Sequence, residues 1–465
     1  MNRTSFSAAI CAGLALVVTG CGGDESSSGS QPPSIGASGG GTPTPSPTGG
    51  AGTAIFAAAA AGPMLARVSF DRNENGSFGD DADPLTSTAI DGRFGRSVTG
   101  IEPAIHNGTV PATAAFRMEA TGFDASTALF FAQMRAPAGA TVISPLTALI
   151  DATGSEAEVR RALGLDAGPY ALRGSVGLTT FNPALNLGSS DADTRHNAMQ
   201  LTRLNLQLLA MAAVLKDTNG DPVDRPVTLL DSSGYMAQQI RSTGQLDLTD
   251  PVTLRALFDR SRYGYGSLPE GLDAMADFMA RYNAAIPNDL ANADAVRGWA
   301  WGFRFDIMVE FKTLASRWPN PNLSRITAID AAHMRESAAY FAALRAPVPA
   351  ASMAVPDYAE VLVPDDATVL TDCNGPLLQY PSCNDMSLDF TEGHTWTVLQ
   401  ATSSEPRSLA VDLSSTSTNA EPNFMRFRRL GLAFRGLVPV RYTSLFSNGE
   451  TSESYIFVRV KERGT

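Results

Sequence analysis

The sequence predicts an α+β multidomain protein: an N-terminal β-sandwich, a mainly helical middle domain and a C-terminal β-sandwich-like domain. Three observations carry that prediction. Over residues 54–136, apolar residues alternate between closely spaced turn signals. From Pro145 the apolar spacing changes to the three-and-four rhythm of helices. Beyond Pro356 the alternation returns and lasts to the C-terminus. The domain boundaries follow these shifts, at 54–136, 137–350 and 351–465, and the roughly 415 residues involved are enough for several real cores.

Taken in order, Leu65 to Phe70 alternates as a strand and runs into a loop rich in Asp, Asn and Gly. Asp91-Gly92 marks a tight turn before Arg93 and Phe94, and strand chemistry resumes over 113–118. Short strands at this spacing suggest a small sandwich. In the middle segment, Ser155 stands as N-cap of a helix with Glu158 as its capping-box partner, and Gly164 ends it. Residues 196–216 carry Leu201, Leu204, Leu208 and Val214 on a helix apolar enough to be largely buried, and further helices are expected at 254–261, 272–284 and 331–344. Between them, Trp299, Trp301, Phe303, Phe305, Ile307, Val309 and Phe311 alternate without a break. On a helical wheel Arg304 and Lys312 fall opposite Asp306 and Glu310, so no polar face emerges and a strand is expected. In the last segment, strands are expected at 396–399, 409–413, 425–428, 438–442 and 455–460, with a hairpin turn at 447–450.

Composition narrows the function classes. A hydrophobic content of 44% and a mean hydropathy of -0.04 describe soluble globular material. A formal net charge of -12 argues against nucleic acid as a partner, since phosphate binding needs a basic surface. The arginines gathered in the last forty residues are read as solvated faces of strands. Residues 22–53 are Gly, Ser, Pro and Thr almost throughout, a flexible tether with a reach of about 30 Å.

Ahead of the tether, Arg3 precedes an apolar run over residues 8–17, the layout of a secretory signal peptide and too short to span a bilayer. Val18-Thr19-Gly20-Cys21 at its end resembles the lipobox of bacterial lipoproteins. The resemblance implies cleavage after residue 20, lipidation of Cys21 and a membrane contact made through that lipid. Gly22 lacks the aspartate associated with inner-membrane retention, so an outer-membrane lipoprotein is expected. Export also fits the cysteines: Cys373 and Cys383, ten apart around Asn-Gly-Pro and Tyr-Pro, suit a disulfide-closed loop worth about 2–3 kcal/mol.

The richest constellation is Asp71, Asn73, Asn75, Gly76, Ser77, Asp80 and Asp83. Calcium takes six to eight oxygens, and oxygens on alternate residues of a turning loop converge on one point. Asp71, Asn73 and Asn75 fit the first three side-chain positions, Gly76 permits the turn and Ser77 offers its carbonyl. The twelfth position of an EF-hand loop is Ala82 here, so Asp80 or Asp83 must close the set. The alternative is a solvated acidic turn. A second oxygen-rich stretch, Asp217 to Asp221 with Asp224 beyond, is too short for such a loop and reads as a helix C-terminal turn.

The run from Ala66 through Asp71 to Gly76, with Asp80 to Pro84 and Asp91-Gly-Arg-Phe94, resembles the calcium-stabilised prealbumin-like modules of bacterial surface proteins and adhesins. That resemblance implies a transthyretin-like sandwich shared with carboxypeptidase regulatory-like domains, a structural Ca2+ that stiffens a stalk, and no catalysis. The segment from Arg135 to Leu149, with Ala162 to Leu165, resembles exported proteins of the same class. The two resemblances cover roughly residues 60–185, and the extra residue before Asp83 departs from the pattern.

No nucleophile elbow, zinc-protease helix, Walker loop or dinucleotide fingerprint occurs, and His106, His196, His333 and His394 are dispersed. The expected function is therefore binding, adhesion or structure in the cell envelope, towards a glycan or an envelope protein. The alternative is an anchored hydrolase of polysaccharide or peptide, with its site between the helical middle and the last domain.

Overall fold

The computed structural model describes residues 55–78, 85–89, 91–95, 113–127, 129–168, 170–218, 227–261, 269–308, 327–348, 359–363, 368–372, 396–407, 409–413, 424–429, 436–446 and 449–460. The chain combines helices with several β-sheets, an α+β composition. Near the N-terminus lie β1 (Phe56–Ala58), β2 (Met64–Phe70), β3 (Leu85–Ser87), β4 (Arg93–Phe94), β5 (Met118–Asp124), β6 (Phe130–Ala136) and β7 (Val142–Ile143). Five strands form a sheet of order β3-β2-β5-β6-β8, where β8 is Val227–Thr228, and a smaller sheet has the order β4-β1-β7. Alternation along β2 sends Met64, Ala66, Val68 and Phe70 into the core. The rings of Phe56, Phe70 and Phe94 meet at centroid distances of 5.4–6.2 Å and join the two sheets.

One expected strand begins later than its chemistry suggested. Residues 113–117 bend, and β5 starts at Met118, where pairing with Phe70 opens the β2–β5 register. Thr113 to Arg117 lie beyond the end of β2, and among the described residues they meet turn backbone instead of a strand, the Arg117 carbonyl accepting the Asp71 N–H at 3.0 Å.

The helices are α1 (Pro145–Thr153), α2 (Glu156–Ala162), α3 (Pro183–Asn186), α4 (Ala192–Thr218), α5 (Leu229–Thr243), α6 (Pro251–Ser261), α7 (Pro269–Ala285), α8 (Ala293–Trp301) and α9 (Ala331–Ala342), with a π-helical turn at Gly302–Ile307. Ser155 caps α2 by accepting the Glu158 N–H at 3.2 Å, and Gly164, at φ 65°, follows its end. α4 is the buried helix its leucines required. Its core also holds amides: Gln207 donates to the Asn283 carbonyl at 2.7 Å, and Asn283 donates to that of Leu248 at 2.7 Å. These bonds fix α4 against α7 and the loop before α6.

The strand expected from Trp299 onward is overturned. Residues 299–308 are helical, first α8 and then the π-turn, while Val309 and Phe311 lie outside the described residues. The helix shows no clean polar face because it is buried on nearly every side: Ala300 and Gly302 alternate with the large rings as close-packed small residues, and only Arg304 and Asp306 are half-buried. α9 packs closely along this segment: a Cβ at Gly298 would stand 2.3 Å from the Ala338 carbonyl oxygen, and one at Gly302 3.1 Å from the Ser337 hydroxyl oxygen.

The C-terminal strands are β9 (Ala359–Val363), β10 (Thr368–Asp372), β11 (Trp396–Ser403), β12 (Leu409–Leu413), β13 (Phe424–Arg429), β14 (Gly436–Phe446) and β15 (Thr451–Val460). They form sheets of order β11-β14-β15-β9 and β10-β13-β12, and β14 and β15 pair as the expected hairpin. Trp301 links the regions. Its ring lies 5.5 Å from both Tyr455 and Phe457 of β15 and 6.3 Å from Phe341 of α9. Its indole N–H donates to the Thr127 carbonyl in the β5–β6 turn at 2.8 Å.

Candidate functional site

The chain leaves β2 at Phe70 and turns at once on Asp71, whose side chain is only 1% exposed. One carboxylate oxygen accepts the Asn75 N–H at 3.0 Å and the other accepts the Gly76 N–H at 3.0 Å. Asn73 Oδ1 accepts the same Asn75 N–H at 3.1 Å, and Asn75 Oδ1 accepts the Ser77 N–H at 2.7 Å. Asp71 and Asn73 therefore bring their oxygens to one nitrogen, and Asn75 continues the series. Glu74 and Gly76 take left-handed backbone, at φ 57° and 78°, which winds the turn tightly enough for this nesting.

The sequence-expected oxygens thus divide in two. Asp71, Asn73, Asn75 and Ser77 lie together in the turn, while Asp80 and Asp83 lie outside the described residues. Asp71, Asn73 and Asn75 place their side-chain oxygens within one turn, each on a backbone N–H, and an ionised carboxylate such as that of Asp71 offers about four acceptor sites.

Around the turn stand residues that sequence reading passed over. Arg117 pairs bidentately with Asp151, at 2.9 and 2.6 Å, and its second terminal nitrogen stands 3.9 Å from Asp71. Hydrogen bonding to Asp151 raises the guanidinium pKa above its ordinary value, despite partial burial, so Arg117 stays charged. Glu119 and Arg135 face each other across β5 and β6 and bond at 2.8 Å. Arg135 lies 4.7 Å and Arg117 5.8 Å from the centre of the Phe78 ring. Between turn and sheet a cavity of about 430 Å³ opens, lined by residues 75–78 and by Glu119, Gln133 and Arg135. The available signal was the isolated charges: Glu119 and Arg135 set into otherwise apolar strands, and Arg117 just before β5. Nothing in sequence marked Gln133.

At the other end of the β2–β5 pair a second carboxylate is sealed completely. Asp124 is 0% exposed and accepts the N–H groups of Gly62, Ser126 and Thr127 and the Thr127 hydroxyl. Burial pushes its carboxyl pKa up, with these donors pulling the other way.

The two described histidines stay apart from this site. His196 Nε2 lies 3.0 Å from the Ala171 carbonyl and His333 Nε2 lies 3.4 Å from Asp306, while His106 and His394 are outside the described residues. Cys21, Cys373, Cys383, and Asp221 with Asp224 lie outside them too. No protein-family model matches the chain, and neither a curated protein nor a solved structure matches it.

Proposed function

We propose that the chain is a lipid-anchored cell-envelope protein of the outer membrane, with a binding, adhesion or structural role rather than a catalytic one. In this reading Cys21 carries the lipid and residues 22–53 hold the folded part off the membrane. A sandwich module at 54–136, a helical domain at 137–350 and a Cys373–Cys383 disulfide-bearing β-domain at 351–465 follow. Asp71, Asn73 and Asn75 would hold a calcium ion through side-chain oxygens and Ser77 through its carbonyl, with Asp80 and Asp83 completing the set. The ion would tie the end of β2 to the following chain and stiffen the module.

The observation that supports this reading best is the Asp71 turn, where a buried carboxylate and two side-chain amides gather their oxygens on the backbone N–H groups of one short loop. An ion bound only by the native state stabilises it by about 2.7 kcal/mol at a concentration one hundred times its Kd. The Tm of the protein should therefore rise with calcium and fall with EDTA, and Asp71→Ala should remove the difference. A variant that still responds like wild type means the ion sits elsewhere. Labelled palmitate should enter the wild-type protein and not Cys21→Ala, and equal labelling of the two would end the anchoring reading.

A further inference from the structure

The cavity beside the Asp71 turn has two walls of different origin. One is the turn from Asn75 to Phe78, and the other is the β5–β6 ladder at Glu119, Gln133 and Arg135. The ladder is irregular there. Its register shifts between Ala120 and Gly122, and Gln133 is held at φ 52°, a left-handed backbone that glutamine rarely adopts. The Gln133 N–H is held by the Thr121 hydroxyl oxygen at 3.1 Å instead of by a carbonyl of the ladder. Bulges of this kind redirect a side chain, and here the redirected side chain lines the cavity.

The lining chemistry defines what would bind. Gln133 presents an amide oxygen and an amide NH2 and Ser77 a hydroxyl, while Asn75, its Oδ1 on the Ser77 N–H, completes the polar wall. Glu119 and Arg135 neutralise one another at 2.8 Å yet still offer acceptor and donor positions at their outer edges. No net charge selects an ion, and Phe78 is the one aromatic contact, so an apolar molecule gains little. About 430 Å³ is in the range of small-molecule sites. We propose that this cavity binds a neutral sugar unit, and that calcium in the adjoining turn strengthens the binding. The proposal rests on the calcium reading for its second half, because Asn75 and Ser77 serve both the ion and the cavity wall. An ion that fixes the turn also fixes that wall, and by linkage the sugar raises calcium affinity by the same factor.

The test uses the full-length protein and ligand-observed NMR with glucose, galactose, mannose and N-acetylglucosamine at millimolar concentration, with glucuronate as the charged control. At least one neutral sugar should bind in calcium and weaken about tenfold in EDTA. Gln133→Asn should weaken it similarly, because asparagine tolerates the left-handed backbone while its shorter side chain withdraws the amide. Asp71→Asn should reproduce the EDTA result. If calcium raises the Tm but no neutral sugar binds, the cavity proposal fails and the calcium reading survives. If a sugar binds equally in calcium and EDTA, the coupling is wrong. Tighter binding of glucuronate overturns the ligand class, and a Gln133→Asn variant with wild-type Tm and wild-type affinity overturns the site.

Discussion

Asp71 and Asp124 sit at opposite ends of one antiparallel strand pair, both are buried, and both gather backbone N–H groups of a turn. They differ in how full their oxygens are. Asp124 accepts four hydrogen bonds, which uses the acceptor capacity of a carboxylate. Among the described residues Asp71 accepts two, and its neighbouring cation stands back at 3.9 Å, held instead by Asp151. The same residue type in the same local device therefore fills its acceptor sites at one end of the strand pair and, among the described residues, only half of them at the other. A saturated carboxylate is a structural pin, whereas an unsaturated one beside converging amide oxygens can take a metal.

The closed end should be the more fragile to mutation. Trp301→Ala removes a fully buried ring that touches β15 and α9 and also leaves the Thr127 carbonyl without its indole donor. A loss of about 3–5 kcal/mol is expected, read as a lower urea midpoint. Trp301→Phe keeps most of the ring contact and should cost about 1–3 kcal/mol, the penalty for the orphaned carbonyl. A Trp301→Phe variant as stable as wild type would mean the hydrogen bond to the Asp124 turn contributes nothing.

Asp124→Asn tests the pin directly. With the amide oxygen kept on Ser126 and Thr127, the NH2 group faces the Gly62 N–H, a donor against a donor. A loss of about 1–3 kcal/mol is expected near neutral pH. Gly62 has no room to retreat, since a Cβ there would already stand 2.2 Å from the Ser126 hydroxyl oxygen. The pH dependence has a definite sign. Burial raises the native pKa of Asp124 above its unfolded value, so its protonated form favours the native state. That contribution is complete below the unfolded pKa of about 3.9 and is lost as pH rises through the native value. The stability of wild type relative to Asp124→Asn should therefore fall as pH is raised over that interval. A difference that is flat with pH, or rises with it, would show that the four donors outweigh burial.

The two turns also differ in how far sequence could reveal them. Asp71 announces itself because its partners, Asn73, Asn75 and Gly76, follow within five residues in an alternating pattern. Asp124 depends on Gly62, sixty-two residues away, and on Trp301, a further 174 residues beyond Thr127, and no local spacing encodes such contacts. α4, α6, α7 and α9 were legible from apolar spacing and β11 to β15 from alternation, whereas α5, β9 and β10 were not anticipated. α8 was misread because the inference from period to element assumes one wet face, and Trp299, Trp301, Phe303 and Phe305 have none. Gln133 was invisible because a bulge is a property of pairing between two strands.

The smallest expected effect sharpens the open end. Arg117 is the cation nearest Asp71, and any calcium ion there must tolerate it. Its side chain is 35% exposed and its strong contacts go to Asp151, so its repulsion of the ion is that of a partly solvated charge, up to about 1 kcal/mol. Arg117→Gln should therefore tighten calcium binding up to about fivefold, read as a lower Kd by titration calorimetry. Loss of the Asp151 pair will lower the Tm somewhat in EDTA, which is why the affinity is the quantity to compare. Calcium affinity unchanged or weakened by Arg117→Gln would mean that Arg117 helps to hold the turn in shape, and that the Asp71 end is pinned by a salt-bridged arginine much as the Asp124 end is pinned by its donors.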